Sequence, residues 1–134
     1  MSNYEGAARS NYFQVKDSDA FEDAMAPFDI EVSYGVNDTV CLLSQSEGGW
    51  PNSGLDDDDN QIDFTFEAIV CPHMRPGQVL VCIESGHEKL RFVGGQAVAF
   101  NSEGASVAIT LYDIYDKAAA AFGVARNLIT TAEY

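Results

Sequence analysis

The spacing of apolar positions divides the chain into short alternating segments and a few helical ones. Ser10–Lys16 (SNYFQVK) sets Phe13 and Val15 against Tyr12, Gln14 and Lys16, the period of two of a half-buried strand. Over Asp17–Met25 the period lengthens: Phe21, Ala24, Met25 and Phe28 stand at i, i+3, i+4 and i+7, which predicts a short helix. Asp17 or Asp19 is placed to cap its start, and Pro27 to stop it. Asp19, Glu22 and Asp23 fall on the opposite stripe, so the helix predicts a solvent face made of mutually repelling carboxylates. Asp29–Tyr34 (DIEVSY) alternates again, with Ile30, Val32 and Tyr34 opposite Asp29, Glu31 and Ser33. A turn at Gly35–Asp38 and a strand at Thr39–Ser44 complete a β-α-β-β unit.

Residues 45–60 read as an acidic surface loop rich in Ser, Gly, Pro and Asp. Trp50, inside GGWPN, is expected to plug the edge of the core, with a partner-contact role as the alternative. Gln61–Met74 admits two periods. Ile62, Phe64 and Phe66 suit a strand; Ile62, Phe66, Ile69, Val70 and Met74 suit a helix. The helix is preferred, because the preceding aspartates would then sit at the positive end of its dipole. Gln78–Glu84 (QVLVCIE) is almost continuously apolar, as in a central strand. Lys89–Val93 and Gln96–Asn101 read as strands joined by a hairpin at Gly94-Gly95, and Ser102–Gly104 as a turn into Ser106–Ile109. Thr110-x-x-Asp113 resembles a capping box opening a helix. Its buried stripe would be Leu111, Ile114, Tyr115, Ala118 and Phe122, with Gly123 as C-cap and 124–134 as a tail free to fray. These elements predict an α+β fold: a single domain, with a mainly antiparallel sheet and two or three helices packed on it.

Charge changes this picture more than composition does. The net charge of −14 is localised. Fourteen acids lie between Asp17 and Glu67 with no Lys or Arg among them, and the other seven acids and seven bases cancel. Solubility alone is one explanation of so acidic a chain. A block without counter-charge also suits a partner. Seven bases against 21 acids exclude direct nucleic-acid binding. A protein that itself binds nucleic acid is a different matter. Duplex DNA carries one charge per ~1.7 Å, so fourteen carboxylates match roughly 24 Å, or about seven base pairs.

Other chemistry finds little support. Counted from Asp56, the positions of Asp58, Asn60 and Glu67 match a calcium loop, but Gln61 stands where the sharp turn needs Gly, and Asp63 where an apolar residue belongs. Cys71 and His73 form no second pair at zinc spacing with Cys41, Cys82 or His87. No metal or other cofactor is therefore expected. His73 and His87 lack a nucleophile in any known motif, and HEKLR has Arg91 where a metalloprotease helix needs its second His. The expectation is a protein that is not an enzyme. Three cysteines without C-x-x-C, no leader-like start and no apolar run near ~20 residues point to a reducing cytoplasm, with no membrane partner.

Three stretches then stand out together: ARSNYFQVKD (Ala8–Asp17), ESGHEKLRFVGGQAVAFNSEG (Glu84–Gly104) and LYDIYDKA (Leu111–Ala118). Through them the chain, from about Asn11 to Phe122, resembles small acidic proteins carried by bacteriophages, plasmids and other mobile elements. The resemblance implies a product that helps foreign DNA persist in a bacterial host cell, of the anti-CRISPR or antirestriction type. Such a protein would bind a CRISPR effector or restriction enzyme through a DNA-mimicking surface. The expected contact residues are Asp19, Glu22, Asp23, Asp29, Glu31, Asp56, Asp57, Asp58, Asp59, Asp63 and Glu67. The alternative is a non-catalytic binding or structural module of a mobile element, able to form a homodimer. Its charge would serve solubility, and its contacts would be apolar or aromatic at Trp50, Tyr112 and Tyr115.

Overall fold

A computed structural model describes residues 4–133. Its centre is a seven-stranded antiparallel sheet. From one edge to the other run β3 (Ile30–Tyr34), β4 (Thr39–Ser44), the broken strand made of β1 (Glu5–Ser10) and β2 (Phe13–Gln14), then β7 (Val79–Glu88), β8 (Phe92–Asn101) and β9 (Ser106–Thr110). Against one face of this sheet pack α1 (Ser18–Met25), a separate hairpin of β5 (Ser53–Leu55) and β6 (Gln61–Asp63), and the single turn α2 (Phe66–Ile69) with a 3-10 turn at Cys71–His73. α3 (Asp113–Phe122) follows β9. The α+β class and the antiparallel sheet read from the sequence are what the structure shows.

The break between β1 and β2 is spliced by two side chains. Ser10, only 2% exposed, accepts the Leu42 N–H at 2.8 Å through Oγ and donates to the Asn11 carbonyl at 2.7 Å. Asn11 accepts the Val81 N–H at 2.8 Å through Oδ1 and donates from Nδ2 to the Val79 carbonyl at 3.0 Å. The bulge thus satisfies buried backbone groups that a regular ladder would otherwise pair. It also turns Phe13 and Val15 into the core, where Phe13 meets Phe21 of α1 edge to face at 5.9 Å. Asp17 caps α1 through Oδ1, which accepts the Asp19 and Ala20 N–H groups, and the helix ends at Met25, two residues before Pro27.

Several expected elements are placed differently. The strand expected at Ser10–Lys16 starts earlier and is broken at Asn11–Tyr12. Residues 45–60 are not all loop, because β5 lies within them and pairs with β6. Gln61–Met74 is not one helix. Ile62 and Phe64 turn inward from a strand, Thr65 then caps α2 through its hydroxyl, and Pro72 sits in the 3-10 turn. Asp56–Asp59 therefore form a hairpin tip and not a helix N-terminus. Gly94 and Gly95 lie inside β8, and the turn falls at Lys89–Arg91, with Lys89 at φ 51°. The Phe92 ring lies over Gly94: a Cβ there would stand 2.6 Å from the end of that ring and would have to displace it.

The last helix departs furthest. Its limits and its left-handed Gly123 cap agree with expectation, and Asp113 accepts the Thr110 N–H at 2.8 Å. The reciprocal half of the capping box is missing: the N-cap is Tyr112, with no side-chain bond. No residue of α3 is buried: of the expected stripe, Leu111, Ile114 and Phe122 are exposed, and Tyr115 and Ala118 are half-buried. The tail does not fray freely. Arg126 lies over the Tyr115 ring at 4.5 Å, Tyr112 donates to Glu133 at 2.7 Å, and Glu133 bridges to Phe92. Tyr134 lies outside the described residues.

Candidate functional site

The acidic residues are placed by the alternation that buries their neighbours. Phe21 and Met25 dock α1 on the sheet, and this turns Asp19, Glu22 and Asp23 to solvent. Glu22 accepts the Tyr34 hydroxyl at 2.6 Å, a bond that raises the tyrosine pKa. The β5–β6 hairpin lies in the same layer, tied to the end of α1 by Leu55 N–H donating to the Pro27 carbonyl at 3.2 Å. At its tip, Asp56 Oδ1 accepts the N–H groups of Asp58 and Asn60 at 2.9 Å each, and Asp59 takes φ 60°. Asp57, Asp58 and Asp59 are exposed and Asp56 is half-buried by that turn. Asp63 is exposed on β6 and Glu67 on α2.

Glu31 does not join them. Ile30 is buried toward α1, so Glu31 points to the far face of the sheet, in register with Leu43, Arg9 and Ile83. Asp29 is exposed just before β3. The structure thus brings most of the expected contact residues to the helix-layer side and separates Glu31 from it. Among the described residues the three ion pairs engage Glu5, Glu88 and Asp116, so no acid of this set has a basic partner. The described residues also form no cluster of three or more metal-capable side chains.

Two features were not foreseen from sequence. One is a cavity of about 350 Å³ where the core ends between the sheet and residues 48–52 and 64–66. Toward that end the inward residues change from Leu80 and Cys82 to Glu84 on β7, and from Phe100 and Val98 to Gln96 on β8. Glu84 accepts the Trp50 backbone N–H at 2.8 Å and the Tyr4 hydroxyl at 3.4 Å. Gly49 crosses directly over the carboxylate at φ 94°, with no room for a Cβ. Trp50, half-buried, stands edge to face on Phe66 at 5.0 Å, which gives it the expected plugging role. The Cys82 thiol borders the cavity with its pKa pushed up by burial, and that of Cys71 is raised by burial and then by Glu67. Both thiols are held protonated, the opposite of an activated nucleophile.

The second is the bare outer face of β7–β9. Val79 and Ile83 point away from the core on β7, Val107 and Ile109 on β9, all four exposed, with the half-buried Ala97 and Ala99 of β8 between them, and no helix or strand among the described residues packs over this face. The continuous apolar run of QVLVCIE does mark a mid-sheet strand with two apolar faces, but only one is filled. A sequence signal for this exists: SVAIT on the edge strand carries neither charge nor proline to guard it.

No protein-family model, curated protein or solved structure matches the chain.

Proposed function

We propose that this protein is a non-catalytic inhibitor from a mobile element that binds a host nucleic-acid-targeting defence complex, of the anti-CRISPR or antirestriction type, inside the bacterial cell. The acidic helix layer is its contact surface, and nucleic acid is excluded by competition. One observation carries this reading: the exposed carboxylates of α1 and of the β5–β6 hairpin lie on one side of the sheet without a basic partner among the described residues. Such a surface attracts a basic groove over a Debye length of ~8 Å and speeds encounter, and both effects weaken as salt rises. Glu31 falls outside the proposed surface, because its side chain is on the other face of the sheet.

The test is expression in bacteria carrying single CRISPR or restriction systems, with plasmid or phage survival as readout. The expected result is relief of one system, and recovery of its nuclease or guide-RNA complex on the tagged protein at low salt and not at high salt. Unchanged interference across the panel would remove the reading. The alternative, a binding or structural module whose charge serves solubility, is favoured by a different observation, the bare apolar face of β7–β9.

A further inference from the structure

The outer face of β7–β9 has the form of a trough. Its floor is the small residues of β8, Gly95, Ala97 and Ala99. Its walls are the larger ones in register on either side, Val81 and Ile83 on β7, and Val107 and Ile109 on β9. Shallow apolar pockets run along it from Leu111 to Val79. The same chain carries an apolar ridge: Leu111, Ile114, Ala118 and Phe122 lie on one stripe of α3, and Phe122 is 77% exposed.

The two fit each other. At ~3.3 Å per strand residue, Gly95 to Ala99 spans roughly 13 Å; at ~1.5 Å per helix residue, Ile114 to Phe122 spans roughly 12 Å. In its own chain the helix leaves the trough at Leu111, which closes one end of it over Gly95, and Ile114 and Phe122 stay exposed. Leu111 N–H donates to the Gly95 carbonyl, Asp113 holds the Thr110 N–H, and the tail hooks Tyr112 and Tyr115 to Glu133 and Arg126.

We infer that two copies of this chain pair, with α3 of each laid along the β8 trough of the other. Area and charge both select a second copy as the occupant. Ile83, Val107, Ile109, Leu111, Ile114 and Phe122 are 53–77% exposed, roughly 700 Å² of apolar surface, against the ~800 Å² per partner of a standard interface. The trough carries no acid on its floor or walls, and on α3 Asp113 and Asp116 are engaged by Thr110 and Arg126. Two chains of net charge −14 can therefore meet here with α1 and the hairpin tip on the other side of each sheet.

Sedimentation velocity of the full chain between about 5 and 100 µM tests this. A dimer is expected, and Ile109→Glu in the wall and Phe122→Glu on the ridge should each give a folded monomer by circular dichroism. A second arm keeps the native surface. Ala97→Cys protein mixed with Ala118→Cys protein should form a mixed disulfide under mild oxidation, in excess of either self-linked product. A monomeric native chain would overturn the inference. So would a dimer unaffected by both glutamates, or disulfides formed only between two Ala97→Cys chains, which would mean sheet against sheet. Because no nuclease or guide RNA enters these assays, their outcome is independent of the proposed inhibition.

Discussion

Reversal of the α1 acids (Asp19→Lys, Glu22→Lys and Asp23→Lys together) separates surface function from folding, because the structure gives each side chain so little to hold. Among the described residues only Glu22 meets a side-chain partner, the Tyr34 hydroxyl at 2.6 Å. Both partners of that bond are exposed, so water replaces it readily when it is lost. Asp19, in the first turn, also favours the helix dipole by about 0.3–1 kcal/mol. Such losses are well inside the ~5–15 kcal/mol of an ordinary domain, and the N-cap Asp17 is untouched. Each reversal adds two charges, so the net charge moves from −14 to about −8. Each exposed pair contributes ~0.2–1 kcal/mol, and reversal adds repulsion of similar size. Three reversals should therefore cost roughly 3 kcal/mol, about a hundredfold in affinity. Plasmid interference in the responsive strain reads the inhibition, calorimetry the affinity, and thermal melting the fold. A variant that melts within about 10 °C of the parent and inhibits with equal potency would refute the acidic-surface argument.

Three further predictions concern the scaffold. Ser10→Ala should lower stability by about 1–3 kcal/mol in urea titration, because it strands the buried Leu42 N–H; a cost under about 0.5 kcal/mol would show that the splice is dispensable. Trp50→Ala removes the plug on Phe66 and should cost about 2–3 kcal/mol, read by far-UV unfolding, since Trp50 is the chain's one tryptophan. The buried thiols should make the protein alkali-sensitive. The folded state holds the Cys82 proton above its ordinary pKa, so the unfolded chain binds fewer protons once pH passes about 8.5. Stability should then fall by up to about 1.4 kcal/mol per pH unit, and Cys82→Ser should flatten that slope between pH 8.5 and 10.

Local alternation and capping by themselves determined much of this protein. Asp17 capping α1, Pro27 ending it, β4 at Thr39–Ser44 and Gly123 closing α3 each depend on neighbours within one turn or one strand, and a chain of residues displays those directly. The acidic block was likewise legible, since charge is a property of the residues themselves. Register and coverage were not. Gly94-Gly95 looked like a turn because its packing against Phe92 depends on the pairing of β7 with β8 over ten residues. Gln61–Met74 looked helical because nothing local reveals that Ser53–Leu55 will pair with Gln61–Asp63. Glu31 parted from the α1 acids because β3 is pleated and α1 occupies one side only. The stripe of α3 and the outer face of β7 were read as buried because an apolar pattern shows that a surface seeks cover. Which surface of the chain provides that cover, or leaves it bare, is decided by contacts between segments far apart in sequence, and those exist only once the tertiary structure has formed.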